Sequence, residues 1–133
     1  MKHIERTLIN DFQAIQELGR KIIYAFPEDR LKPFDYSMPE SIDFINHCKS
    51  HYDLLVSISI LLKVVAWKTT NEIENVIAKK LISYVDEHIG SIDLLLEILD
   101  KPTDKFPENC NEIARFISEL LFDVEIKLPL DEV

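Results

Sequence analysis

The residues best suited to chemistry are Asp43, His47 and His51, which recur at intervals of four positions. On a helix this spacing brings the three side chains to one face. Histidines at i and i+4 can chelate one divalent metal ion, and an aspartate one turn earlier offers a third ligand. The pattern lacks the glutamate of HExxH, and a further ligand would have to come from another helix. A solvated helix face with one aspartate–histidine pair explains the same residues, and it is the simpler interpretation.

The other reactive side chains form no recognisable catalytic pattern. Cys48 follows His47, but adjacent residues of a helix do not face each other, so we interpret Cys48 and Cys110 as small apolar residues. The sequence contains no nucleophile elbow and no glycine-rich loop that would hold a phosphate. We therefore predict a protein that is not an enzyme and that needs no cofactor.

The elements that would position these residues are helices. The run Leu54–Trp67 is apolar on nearly every side, which predicts a central helix enclosed by other helices. Apolar stripes also predict a first helix from about His3 to Phe26 and a second helix that begins at Ser37 and leads into the central run. Three further helices are predicted to begin at Asn71, at Ser91 after Gly90, and near Pro107, and the one at Ser91 is short.

Together these elements predict an all-α protein, a single-domain compact bundle of about five to six helices around an apolar central helix. The single domain spans residues 1–133, with a loop at about residues 27–38 and an irregular tail at about residues 126–133. Only two glycines occur, which disfavours a β-rich fold with many tight turns.

The chain is acidic, with a formal net charge of −9. The segment Asn71–Asp100 contributes strongly, with seven acidic residues against two basic ones, whereas Leu54–Thr70 carries two basic residues and no acidic ones. A net negative surface repels nucleic acids and anionic membranes and favours a basic protein partner. A negative surface that serves only to keep the protein soluble explains the net charge equally well.

The sequence also predicts a cytoplasmic location. Its N-terminus lacks the apolar core of a secretory signal. The central apolar run has about fourteen residues, fewer than the roughly twenty that a membrane-spanning helix needs. The two cysteines show no disulfide pattern.

Three functions fit these observations. The first is an immunity- or antitoxin-type inhibitor that neutralises a basic protein, because charge complementarity accelerates such association. The second is an adaptor or regulatory subunit that binds a partner helix, as a monomer or homodimer. The third is a metal-binding bundle using Asp43, His47 and His51. For the first two we predict partner-binding acids and aromatic anchors at Asp86, Glu87, Asp93, Glu97, Asp100, Phe34, Tyr36 and Trp67.

Overall fold

The computed structural model describes residues 2–100 and 109–122, and the regular elements in these ranges are all helices. They are α1 Lys2–Tyr24, α2 Pro39–Lys68, α3 Glu72–Leu99 and α4 Cys110–Ile117, followed by a π-helical turn at Ser118–Phe122. The all-α prediction is confirmed, but the described ranges hold four α-helices rather than five or six. The starting point predicted near Pro107 and the predicted tail lie outside the described residues.

The helices α2 and α3 form a long antiparallel hairpin that is the centre of the fold. Asn71 begins α3 as predicted, because its side-chain oxygen accepts a hydrogen bond from the backbone N–H of Glu74 at 3.1 Å. The helix that we predicted to begin at Ser37 begins at Pro39, and the Ser37 side chain does not cap it. Met38 precedes α2 without a side-chain cap, and Pro39 occupies the first turn.

The break predicted at Gly90 is wrong, because α3 continues through this residue from Glu72 to Leu99. The described glycines have no positive φ, so Gly90 does not have the left-handed conformation of a helix end. The apolar stripe runs through it without a change of spacing, with Val85 and His88 before it and Ile92 and Leu95 after it. Packing along the stripe outweighs the cost of a glycine inside a helix, about 1 kcal/mol.

The helix α1 runs antiparallel to α2. Phe26, just after α1, meets Phe34 edge to face at a centroid distance of 5.5 Å, and Phe34 meets Tyr36 at 4.7 Å beside the start of α2. Asp11, more than two turns before the end of α1, contacts His51 further along α2. The connection at residues 25–38 therefore lies at the end of the bundle where α1 ends and α2 begins.

This arrangement leaves the far end of the α2–α3 hairpin beyond the reach of α1. Asp11 is level with His51, and at 1.5 Å per residue the first residue of α1, Lys2, is level with about Ile60. The residues of α2 after Ile60 therefore extend past α1.

The prediction that the apolar run is enclosed on all sides is wrong for its second half. Leu55, Ile58 and Leu62 are buried against the other helices, but Ile60, Leu61, Val64 and Trp67 are exposed. The helix α2 is continuous over 30 residues. By length and composition it is the one helix in the described ranges that could span a membrane. Core helices of soluble proteins meet the same criterion.

The short helix α4 closes the connection end of the bundle. The backbone N–H groups of Cys110 and Asn111 donate to the carbonyls of Lys32 and Arg30, at 3.1 and 2.8 Å. Gly19 of α1 provides room for the segment that follows α4. A Cβ atom at this glycine would lie 3.2 Å from the Leu121 side chain, so its absence allows the close contact between α1 and this segment.

Candidate functional site

Four polar side chains meet inside the bundle, where three helices pack together. Asp11 comes from α1, His47 and His51 from α2, and His88 from α3. His51 and His88 are 1% and 3% exposed. The spacing of His47 and His51 predicted their shared helical face, but we did not predict Asp11 as their partner. We call these four residues the histidine cluster.

A chain of hydrogen bonds links three members of the histidine cluster. His51 Nδ1 is bonded to Asp11 Oδ2, and His51 Nε2 lies 2.9 Å from His88 Nε2. His47 Nε2 lies 3.8 Å from the other carboxylate oxygen of Asp11, which is an ion-pair distance but longer than a hydrogen bond. His51 therefore uses both ring nitrogens to join α1 to α3.

The bonding pattern limits where the protons can lie. An ionised carboxylate only accepts hydrogen bonds. His51 Nδ1 therefore carries a proton and donates a hydrogen bond to Asp11. One proton then lies between the two Nε2 atoms, and both rings are neutral when His88 is the donor. In that arrangement His88 Nδ1 is a bare acceptor, which agrees with its being buried without a partner among the described residues. A further proton would leave two N–H groups facing each other or a buried donor unpaired, and either arrangement is costly.

The surroundings of His88 oppose its protonation. The Tyr84 ring stacks on the imidazole at 5.9 Å, and the Phe12 ring meets it edge to face at 5.0 Å. Burial, followed by repulsion from His51, lowers the pKa of His88 to about 4. Burial acts to raise the pKa of Asp11, but the bond from His51 and the nearby imidazole charges outweigh it, so that pKa is lowered.

The metal hypothesis gains no support from this geometry. Asp43 is exposed, whereas His51 points inward and already bonds to Asp11 and His88. Within residues 2–100 and 109–122 no three histidine, cysteine, aspartate or glutamate side chains are placed to hold one ion. The contacts of the histidine cluster form a chain from Asp11 through His51 to His88.

The two cysteines are poorly suited to act as nucleophiles. Both are free and buried. Burial raises the pKa of the Cys48 thiol to about 12 and also raises that of Cys110, so neither forms a thiolate readily. Cys110 Sγ instead lies 3.7 Å from the Pro33 carbonyl, where α4 meets the connection.

A second candidate site is a row of acidic side chains on α3. Asp86, Asp93, Glu97 and Asp100 are spaced by seven, four and three residues, which places them along one side of the helix, and all four are exposed. Glu87, which we also predicted, is exposed but projects about 100° away from Asp86 around the helix. We call the four residues the acidic stripe.

Lysines of α2 lie beside the two ends of the acidic stripe. Lys63 Nζ lies 3.5 Å from Asp86, which also accepts a hydrogen bond from Ser59 at 2.7 Å. Lys49 Nζ lies 3.1 Å from Asp100. Among the described residues Asp93 and Glu97 have no ion pair, so the middle of the stripe has the least compensated negative charge.

The three predicted aromatic anchors occupy different environments. Phe34 is 5% exposed between Phe26 and Tyr36, and its ring completes the core where α1 meets the connection, so it offers little surface to a partner and its role as a contact residue stays a prediction. Tyr36 is half-buried, and Trp67 is 82% exposed near the end of α2. Tyr36 lines a shallow surface pocket of about 400 Å³ together with Ile42, Ile45, Asn46, Lys49, Leu99 and Asp100.

Comparison with known proteins found no matching family model, no similar curated protein and no similar solved structure.

Proposed function

We propose that the protein is a non-enzymatic binding module that neutralises a basic protein partner through the acidic stripe of α3, in the manner of an immunity protein or antitoxin. The observation that carries this proposal is the alignment of Asp86, Asp93, Glu97 and Asp100 on one exposed side of a long helix. A regular row of like charges, in a chain whose net charge is −9, attracts a basic surface from a distance.

The Asp100 end of the acidic stripe lies beside an aromatic side chain. Asp100 lies at the rim of the pocket that Tyr36 lines, so a basic side chain could meet a carboxylate and an aromatic ring at one place. The buried histidine cluster has a structural role in this proposal, because its side chains bond to one another and connect α3, which presents the stripe, to α1 and α2.

The first experiment is capture of the partner from the native cells with the tagged chain, elution by a salt step and identification by mass spectrometry. A basic protein recovered in stoichiometric amount would then be purified and its affinity for the chain measured at several salt concentrations. The expected result is an affinity that falls steeply with salt, because exposed charges are screened. A partner that is not basic, or binding that salt does not weaken, would refute the proposal.

A matched pair of variants locates the contact. Asp93→Asn with Glu97→Gln removes two charges from the middle of the acidic stripe. Glu17→Gln with Glu28→Gln removes two charges from exposed positions outside it. Both pairs change the net charge equally, so a larger loss of affinity in the first pair assigns the contact to the stripe. Equal losses would show that only net charge matters.

A further inference from the structure

The outward face of α2 has a regular pattern that the packing within one molecule does not use. Asp53, Ser57, Ile60, Val64 and Trp67 are spaced by four, three, four and three residues, and all five are exposed. This is the spacing with which one helix packs along another in a coiled coil. We call these positions, together with the adjoining Leu61 and Lys68, the outer seam.

The outer seam is apolar at its centre and charged at its two ends. Ile60, Leu61 and Val64 are 59%, 49% and 43% exposed, which is unusual for three large apolar side chains within five residues. Asp53 lies at one end and Lys68 at the other, and neither has an ion pair with any described residue. Lys63, by contrast, is already paired with Asp86 on α3.

These charges are arranged symmetrically about the middle of the seam. Asp53 and Lys68 are each seven and a half residues from the midpoint between Ile60 and Leu61, a distance of about 11 Å along a helix. When two copies of α2 lie antiparallel about that midpoint, Asp53 of each copy is opposite Lys68 of the other. Ser57 is then opposite Val64, which pairs a small residue with a larger one.

We propose that the protein forms a symmetric homodimer in which the outer seams of two copies pack antiparallel, with Ile60, Leu61 and Val64 at the centre and an Asp53–Lys68 ion pair at each end. A two-fold axis explains why one surface carries both members of the ion pair, since such an interface must complement itself. The interface lies on α2 and is distinct from the acidic stripe of α3.

Sedimentation equilibrium of the full chain at neutral pH tests the proposal. The expected result is a concentration-dependent mass that rises from 15.5 kDa towards twice that value. Val64→Asp should abolish the dimer. Ile73→Asp, which alters an exposed apolar residue of α3 outside the seam, should leave it intact and is the matched control. A chain that stays monomeric throughout would overturn the proposal.

Charge exchange tests the antiparallel register. Asp53→Lys alone and Lys68→Asp alone should each weaken the dimer roughly tenfold or more, because each creates two like-charged pairs. The double variant should recover the wild-type affinity. An equimolar mixture of the two single variants should form a heterodimer, since both of its end pairs would again be opposite in charge. Failure of both the double variant and the mixture to recover binding would overturn this register.

The single tryptophan of the chain distinguishes other occupants of the seam. Trp67 emission should shift to the blue as protein concentration rises and should remain unchanged on addition of phosphatidylcholine or phosphatidylglycerol vesicles. If the chain remains monomeric and vesicles shift the Trp67 emission to the blue, the seam binds a lipid surface and the dimer proposal is overturned. If the chain is monomeric and the Val64→Asp variant no longer binds a protein that the wild-type chain captures, the seam binds a different protein and the dimer proposal is overturned.

Discussion

At the scale of single residues, the bond between His51 and His88 links folding to pH. The imidazoles lie 2.9 Å apart inside the protein, where at most one proton fits between their Nε2 atoms. In the unfolded chain His88 takes up a proton near pH 6.5, whereas in the folded protein its pKa is about 4. Between these values the unfolded state binds more protons, so the free energy of unfolding falls as the pH falls.

We expect the stabilising effect of neutral His88 to be fully present above about pH 6.5 and to be lost progressively down to about pH 4, by on the order of 3 kcal/mol. His88→Gln should remove most of this dependence, because an amide can still bond to His51 Nε2 but does not titrate. The measurement is urea unfolding between pH 7.5 and 4.5. His3→Gln, at an exposed position on α1, is the control, and an unchanged slope in His88→Gln would contradict the assignment.

The histidine cluster could be predicted only in part. The spacing of His47 and His51 indicated a shared face, and His88 lies on the apolar stripe of its helix. Asp11 was missed, although its spacing from Leu8 and Ile15 places it beside the apolar stripe of α1. That Asp11 and not Asp43 meets the histidines depends on how far α1 and α2 are offset along their axes. Helix spacing within one segment contains no information on that offset.

At the scale of the elements, the two glycines have opposite surroundings although both lie inside helices. Gly19 faces Leu121 and Ile117, which a Cβ atom would approach to 3.2 and 3.3 Å. At Gly90 a Cβ atom would have no neighbour within 4 Å, and α3 continues past this residue. Sequence alone assigns both glycines the same cost, because helix propensity does not depend on what packs against the residue.

We therefore expect opposite effects from the same substitution. Gly90→Ala should raise the free energy of unfolding by about 0.5–1 kcal/mol, because alanine favours the helix and restricts the unfolded chain. Gly19→Ala should lower it by about 1 kcal/mol, because crowding against the π-helical turn outweighs the same gain. Urea unfolding of both variants is the measurement. Stabilisation of both would show that the segment after α4 adjusts without cost.

The two predicted helix starts, at Asn71 and Ser37, differed in how well the sequence predicted them. Asn71 was predicted correctly because an Asn followed by Glu74 satisfies a local rule for bonding free backbone N–H groups. Ser37 satisfies the same rule with Glu40, but its N–H and hydroxyl both donate to Asp35. The Ser37 side chain is therefore bonded to Asp35 and does not cap α2.

At the scale of the whole molecule, charge and apolar surface are placed on different helices. The acidic stripe follows α3, and the outer seam follows α2. Sequence predicted the acidity of α3, because net charge is read directly, but it assigned the whole apolar run of α2 to the core. The helices α1 and α3 cover only one side of α2, so the apolar residues on its other side are exposed.

The acidic stripe should lower the stability of the molecule that carries it. Asp93 and Glu97 are one turn apart, and the last turn of α3 contains no basic residue to balance the negative end of its dipole. We expect Asp93→Asn with Glu97→Gln to raise the free energy of unfolding by roughly 0.5 kcal/mol at low salt, and this gain should disappear at high salt.

Urea unfolding at neutral pH and two salt concentrations measures this effect. Glu17→Gln with Glu28→Gln is the control, and its gain should be smaller, because residues 1–38, which include both positions, carry six basic and six acidic residues. Equal gains would mean that the repulsion comes from net charge and not from the stripe. A larger gain in the stripe variant, accompanied by weaker binding of a basic partner, would show that the acids retained on α3 favour binding at the expense of stability.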